Sequence, residues 1–353
     1  MHTLTKISVL SVTCLLSASS ATDIEACTRV VYTSDNGITA TGRTLDWKSP
    51  IPTSLYIMPR GMERAGYDTG NTITWSSRYG SVVSVGYDMG VSEGLNEKGL
   101  VVNLLYLPGT IYTYAGDTRK LMSTSVWAQY VLDNFATTAE AVKDLRKDTF
   151  RIDAPAMPGG SSTTLHMAIS DSTGNSAIIE YIDGHLSIHE GKEYKVLTNA
   201  PVYDKQLAVN EYWESVGGEH FLPGTNRSSD RFARASFYVN ILPKNTTRQL
   251  ALAGVLGVIR NASVPLGITT PDQPEISSTQ WRSVADQNET VYYFEQTLSP
   301  AILWVDLKKS DLHQGAPVKK LDLSTGKVYV GDATREFKKS APFTPFFRVP
   351  EEK

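Results

Sequence analysis

Residues 27–47 read CTRVVYTSDNGITATGRTLDW, two runs rich in β-branched residues joined by the turn-forming Ser34-Asp35-Asn36-Gly37. The stretch predicts a β-hairpin whose first residue is a cysteine, and it commits the chain to antiparallel pairing. The same pattern recurs downstream. SVVSVGYDMG and GLVVNLLYL form a second strand pair around Asn96-Glu97-Lys98-Gly99. TTLHMAIS, SAIIEYI, HLSIHE and YKVLTNA make a meander punctuated by Ser172-Thr173-Gly174-Asn175 and Asp183-Gly184. Helical periodicity interrupts these runs in LMSTSVWAQYVLDNF, in AEAVKDLRK behind a Thr137-to-Glu140 capping box, in DRFARASFYVNIL and in RQLALAGVLGVIRNA. VYYFEQT and AILWVDL read as closing strands. Antiparallel runs with helices between them predict a layered α/β sandwich rather than a doubly wound parallel sheet. No repeat, low-complexity tract or linker divides residues 27–353, which read as one domain.

Only one cysteine lies in that domain. The other, Cys14, sits in the apolar run ISVLSVTCLL, preceded by Lys6 and followed by the small residues SASSA, so residues 1–21 read as a secretory signal. The run is about half the roughly 20 residues that a spanning helix needs, so stable membrane insertion is not expected and the destination is the periplasm or the exterior. Cut after Ala21, the signal would leave TDIEA, residues 22–26, as a short propeptide. With Cys14 gone, Cys27 has no partner for an internal disulfide. A chain of 353 residues with 41% hydrophobic residues can bury a large core, and a net charge of -3 offers nucleic acid no basic footprint.

Cleavage of the Ala26–Cys27 bond would place a thiol and a free α-amine on one residue. An α-amine with an ordinary pKa of about 7.7–8.0 serves as a general base near neutral pH, beside a thiol at about 8.5. Nucleophiles at mature N-termini are activated in this way, without a histidine. Two other readings of Cys27 stay open. One is lipidation after a small residue, against which Asp23 and Glu25 interrupt the apolar approach, and the other is an inert thiol. Arg43 and Asp46 in TGRTLDW lie on the strand across from Cys27, where Asp46 can hold an ammonium and Arg43 can favour a thiolate. As isolated charges they read equally as ordinary surface residues.

Two rival motifs lack their structural context. Gly90-Val91-Ser92-Glu93-Gly94 matches the serine elbow G-x-S-x-G, but a turn and a strand come after it where that motif needs a helix. His185, His189 and Glu190 fall in a strand pattern, which does not build a helical zinc site. Neither a metal nor a cofactor is expected.

CTRVVY, GRTLDW, GLNEKGL, TTLHMAISDSTGNS, VLTNAP and SDRFARASF stand in this order along the chain. With them the sequence resembles the choloylglycine hydrolase family of N-terminal nucleophile enzymes, which includes penicillin V acylases and bile salt hydrolases. The resemblance implies an α+β fold of four αββα layers with antiparallel sheets, a homotetramer, and hydrolysis of a small-molecule acyl amide. It implies Cys27 as nucleophile with its α-amine as base, and Asp46 and Arg43 as the groups that fix the amine and tune the thiolate. Asn199 in VLTNAP and the backbone N–H of Tyr106 in LLYLP would hold the oxyanion, and Arg231 in SDRFARA would complete the polar site. Trp47, Tyr87 and Met89 would suit an apolar acyl pocket, core packing being their plain alternative. Tyr106 stands where bile salt hydrolases usually carry Asn, which turns the resemblance toward the Gram-negative penicillin V acylases. Members of that branch cleave penicillin V and, in several cases, N-acyl homoserine lactones. Bile salt hydrolysis is the second reading. A lipid-anchored binding protein without catalysis is the third.

The processing expectation has a direct check. The intact mass of the exported protein should correspond to a chain that starts at an unmodified Cys27, and a mass increased by acyl chains would replace the enzyme with the lipid-anchored protein.

Overall fold

The computed structural model describes residues 27–156, 163–218, 220–268, 277–299 and 301–347. The expected signal and propeptide, residues 1–26, lie outside them.

From Cys27 the chain forms the expected hairpin of β1 (Cys27–Thr33) and β2 (Thr39–Trp47), then β3 (Thr53–Met58) and a small ladder of β4 (Glu63–Ala65) and β5 (Thr74–Ser76). Three antiparallel strands come next, β6 (Ser81–Gly86), β7 (Gly90–Asn96) and β8 (Val101–Tyr106). A short β9 (Lys120–Ser123) leads into helices α1 (Thr124–Asn134) and α2 (Thr138–Leu145), and β10 (Phe150–Asp153) pairs with β9. The meander is β11 (Leu165–Ser170), β12 (Ser176–Ile182) and β13 (His185–Glu190), with β14 (Val196–Leu197) after it. Helices α3 (Tyr203–Val216), α4 (Ser228–Ile241) and α5 (Arg248–Asn261) precede β15 (Ser278–Asp286), β16 (Val291–Gln296) and β17 (Leu303–Asp306). Short strands β18 (Lys319–Asp322), β19 (Gly331–Asp332) and β20 (Lys338–Lys339) complete the sheets.

Two large sheets result. The first has seven strands in the order β14-β1-β2-β15-β16-β17-β19, and the second has nine in the order β13-β12-β11-β8-β7-β6-β3-β18-β20. Helices α4 and α5 cover the outer face of the first sheet, and α1 and α2 cover the outer face of the second. The fold is therefore the expected αββα sandwich. Its central strands are buried on both faces, so their side chains alternate between two apolar layers. On β3, Leu55 and Ile57 join the core between the sheets, while Tyr56 and Met58 join the layer under α1 and α2.

Several local expectations are sharpened. SVVSVGYDMG is a strand followed by a turn, and residues 90–96 add a strand to the expected pair as the middle one of three. Leu121–Ser123 extends β9 rather than opening α1, with Ser123 capping the helix by accepting from the Ser125 N–H. Thr137 caps α2 as expected, by accepting from the Glu140 N–H. Helix α3 carried no sequence signal, because its apolar residues are scattered and only Tyr203 and Gln206 are buried.

Two glycines set the distance between layers. A Cβ on Gly42 in β2 would stand 2.7 Å from Val255 Cγ1 and 2.9 Å from Ile259 Cγ2 on α5, and one on Gly94 in β7 would stand 2.7 Å from Leu132 Cδ1 on α1. Overfilling such a close-packed contact costs typically ~1–3 kcal/mol. Gly42→Val should therefore lower the unfolding free energy in urea by about 1–3 kcal/mol. Gly70→Ala, with nothing within 4 Å of its new methyl, should change it by less than about 0.5 kcal/mol.

Candidate active site

The hairpin register places Cys27 opposite Leu45, so Arg43 and Asp46 both lie within two residues of that pairing. Alternation then sends them to opposite faces of β2. Arg43 points between the sheets, toward the Cys27 thiol, and Asp46 points toward α4.

On the inner face Arg43 is clamped from several sides. Nη2 donates to the Leu104 carbonyl at 2.7 Å and lies 3.7 Å from Cys27 Sγ. Nη1 donates to the Ser92 carbonyl at 3.0 Å and to Glu93 Oε2 at 3.1 Å, and the guanidinium lies over the Trp281 ring at 5.1 Å. Glu93 is also buried, held by Asn103 Nδ2 at 3.0 Å and by the Tyr292 hydroxyl. Burial pushes the Cys27 thiol up from its ordinary pKa, and the Arg43 charge works against that rise.

On the outer face Asp46 accepts from Thr279 Oγ1 at 2.6 Å and Thr44 Oγ1 at 3.1 Å, with Arg231 Nη1 at 4.0 Å. Burial raises its carboxyl to a pKa of about 6, against the lowering pull of Arg231. Arg231, on α4, donates through Nη1 to the Cys27 carbonyl and to Thr28 Oγ1, each at 2.6 Å, and through Nη2 to Asn199 Oδ1 at 3.1 Å. Burial lowers the Arg231 pKa, with Asp46 opposing.

Asn199 joins the two sheets. Its Oδ1 accepts from the Cys27 N–H, and its Nδ2 donates to the Tyr106 carbonyl at 2.8 Å. Leu107 donates to Thr164 in the β8–β11 ladder, so the polar groups of Tyr106, one residue earlier, turn the other way, toward Asn199. Cys27, Arg43, Asp46, Tyr106, Asn199 and Arg231 thus form one connected cluster around the first residue of β1.

Cys27 and Arg43 line a cleft of about 920 Å³ including its mouth. Trp47, Tyr87 and Met89 all line it, as do Tyr106, Leu165 and Phe346. Trp47 meets Tyr106 edge-on at 6.1 Å. Tyr87 and Asp88 both adopt φ of 54°, an uncommon left-handed conformation for such residues. The turn is held there by the Tyr87 N–H donating to the Pro52 carbonyl at 2.8 Å, and by Tyr56 and Lys320 on Asp88. Among the described residues, no group of three or more His, Cys, Asp or Glu is placed to hold a metal ion. His189 is engaged with Asp204 on α3 at 2.7 Å.

Sequence reasoning missed Glu93, Thr279 and Phe346. Glu93 was legible in principle, since it shares a face of β7 with the apolar Leu95 and lies opposite Asn103 on β8. Thr279 and Phe346 are distant in sequence and carry no local signal.

The chain is similar to known proteins in sequence and in fold. The profile of the family described as linear amide C–N hydrolases, choloylglycine hydrolase family, matches residues 27–328. Penicillin V acylase of Pectobacterium atrosepticum is 43% identical over 343 residues, covering 90% of this chain and 91% of the relative. Bile salt hydrolase/transferase of Clostridium perfringens is 24% identical over 310 residues, covering 81% and 94%. Among solved structures, penicillin V acylase from Agrobacterium tumefaciens superposes with a TM-score of 0.85 at 48% identity, covering 91% of this chain and 99% of that one. The conjugated bile acid hydrolase from Clostridium perfringens, at 22% identity and a TM-score of 0.72 over 87% and 98% of the two chains, shares the fold.

Asp46 gives a measurable pH signature. Its folded pKa of about 6 exceeds its ordinary 3.8, so the stability it contributes is full below 3.8 and is lost as pH rises through about 6. Replacing it with Asn removes that loss. In the unprocessed chain, Asp46→Asn should gain up to about 3 kcal/mol relative to the parent between about pH 4 and pH 8 in urea unfolding. A difference that does not change with pH would contradict the buried carboxyl.

Proposed function

The chain belongs to the choloylglycine hydrolase family of linear amide C–N hydrolases, and from that premise we propose that it is an exported, N-terminal cysteine acylase that cleaves penicillin V and N-acyl homoserine lactones. The observation that carries this reading is the Cys27 thiol, 3.7 Å from a clamped guanidinium, in the lining of an apolar cleft. An acyl group fits such a cleft, and the amide carbon then comes to the sulfur.

In the proposed cycle, cleavage before Cys27 converts its peptide nitrogen into an amine. That amine takes the thiol proton, and the sulfur attacks the carbonyl carbon, forming a C–S bond. Asn199 Nδ2 and the Tyr106 N–H hold the oxyanion, which requires Nδ2 to exchange the Tyr106 carbonyl for the substrate oxygen. The α-ammonium returns the proton to the leaving nitrogen as the C–N bond breaks. Water then adds to the thioester, and the acid leaves with the thiol restored. Arg43 favours the thiolate throughout, and Asp46 and Arg231 hold the backbone of Cys27 from the opposite face. The similarity to penicillin V acylases at 43% and 48% identity supports this branch over the bile salt hydrolases at 24%. Periplasmic residence and a homotetramer complete the proposal.

The test is steady-state hydrolysis of phenoxymethyl penicillin and of an acyl homoserine lactone series. Cys27→Ala should abolish both activities, and Asn199→Ala should reduce kcat about 100- to 1,000-fold. Hydrolysis persisting in Cys27→Ala would exclude the nucleophile. Stronger turnover of glycine- or taurine-conjugated bile acids than of either substrate would replace the substrate assignment.

A further inference from the structure

The cleft has one wall that no motif announced. Phe346 lies far beyond the Cys27 hairpin in sequence, close to the end of the described chain, yet it lines the same cleft as Cys27. Its backbone is fixed at three points. The Phe346 N–H donates to the Met89 carbonyl at 3.1 Å, and its own carbonyl accepts from Ser123 Oγ at 2.9 Å and Ser125 Oγ at 3.0 Å. Ser123 is the cap of α1, so these bonds tie the C-terminal segment to both the cleft-lining turn and a helix start.

Two neighbouring aromatics anchor the same segment. Phe343 is buried and meets Tyr56 edge-on at 6.1 Å, and Phe347 packs on Tyr67 at 4.8 Å. Of these three aromatics, Phe346 is the one that lines the cleft. The lining also includes Met89, whose carbonyl Phe346 engages, and the small hydroxylated Thr124, Ser125 and Thr163. Phe346 therefore adds a large apolar ring to the cleft lining beside Met89 and Ser125, on a backbone fixed by hydrogen bonds.

We propose that Phe346 is the specificity-determining residue for acyl length, a stop in the cleft wall beside Met89 and Ser125 that favours a short or aryl-terminated acyl group over a long alkyl chain. The proposal rests on the acyl-amide hydrolase reading above. Removing the ring opens space in which additional methylenes are buried, and each buried methylene contributes measurably to discrimination.

The experiment compares kcat/KM across N-acyl homoserine lactones from butanoyl to dodecanoyl, with phenoxymethyl penicillin alongside, for the parent, Phe346→Ala, Phe346→Leu and Phe346→Trp. Phe346→Ala should raise the dodecanoyl-to-butanoyl ratio about tenfold or more, chiefly through KM, and Phe346→Trp should lower it. The rate of Cys27 alkylation by iodoacetamide should stay at the parent value, which separates a change of cleft length from damage to the nucleophile. If Phe346→Ala does not fold, the Leu and Trp variants carry the same comparison. Folded variants with parental alkylation rates and the parental acyl profile would overturn the proposal alone. A parent enzyme that hydrolyses no member of the panel would overturn the hydrolase reading of these substrates and this inference with it.

Discussion

Strand β2 carries opposite charge on its two faces, and the site depends on satisfying both without water. Arg43 meets Glu93 at 3.1 Å between the sheets, and Asp46 faces Arg231 at 4.0 Å under α4, with all four side chains buried. The two positive and two negative charges sum to zero. That balance matters because removing one partner of a buried pair typically costs ~3–5 kcal/mol, whereas an intact pair contributes little net stability. What the pairs contribute is position. Arg43 cannot leave the Cys27 sulfur without surrendering its bonds to Leu104, Ser92 and Glu93. The same interior holds a third arginine on different terms. Arg29, two residues after the nucleophile candidate, is bonded to Ser176 Oγ and to the carbonyls of Ile169 and Tyr194, and burial lowers its pKa to about 9.

The cleft and the polar cluster meet without sharing chemistry. The sulfur stands where a charged cluster ends and an apolar wall begins, so it is desolvated on one side and stabilised on the other. Desolvation alone makes a thiol a poor nucleophile at neutral pH, because it disfavours the thiolate. The guanidinium offsets part of that penalty at short range, where the low dielectric of the interior strengthens its effect. The hydrogen-bonded turn at Tyr87 and Asp88 brings Tyr87 and Met89 to the cleft from the other sheet, at the expense of two residues in a left-handed conformation.

Elements of the fold differ in how legible they are. The hairpin from Cys27 to Trp47 could be read at once, because its turn residues and strand residues agree locally. Helix α2 was equally plain through the Thr137 cap. Helix α3 was not, since its burial depends on packing rather than on its own periodicity. In the site, Arg43 and Asp46 were legible because the hairpin register fixes their distance from Cys27. Glu93 was obscured by the G-x-S-x-G pattern around it: the motif is a chance match to a serine elbow, yet its glutamate and the Ser92 carbonyl hold Arg43. Phe346 and Thr279 reach the site only through tertiary contacts, which no short stretch encodes.

Charge balance also explains why an N-terminal cysteine suits this interior better than a cysteine paired with a separate base. While the Cys27 nitrogen is an amide, the four buried charges already cancel, and a thiolate formed there would leave the cluster one negative charge in excess. Cleavage in the proposed mature enzyme adds an amine next to the thiol. When the proton passes between them, the residue becomes an ammonium and a thiolate together, so the cluster remains neutral in both the resting and the activated forms. A histidine base would require a further titratable group in the same buried volume, with its own desolvation cost when charged. In the proposed enzyme the proton would move within one residue whose carbonyl is fixed by Arg231 and whose nitrogen is fixed by Asn199, so neither the acceptor nor the donor would need to travel.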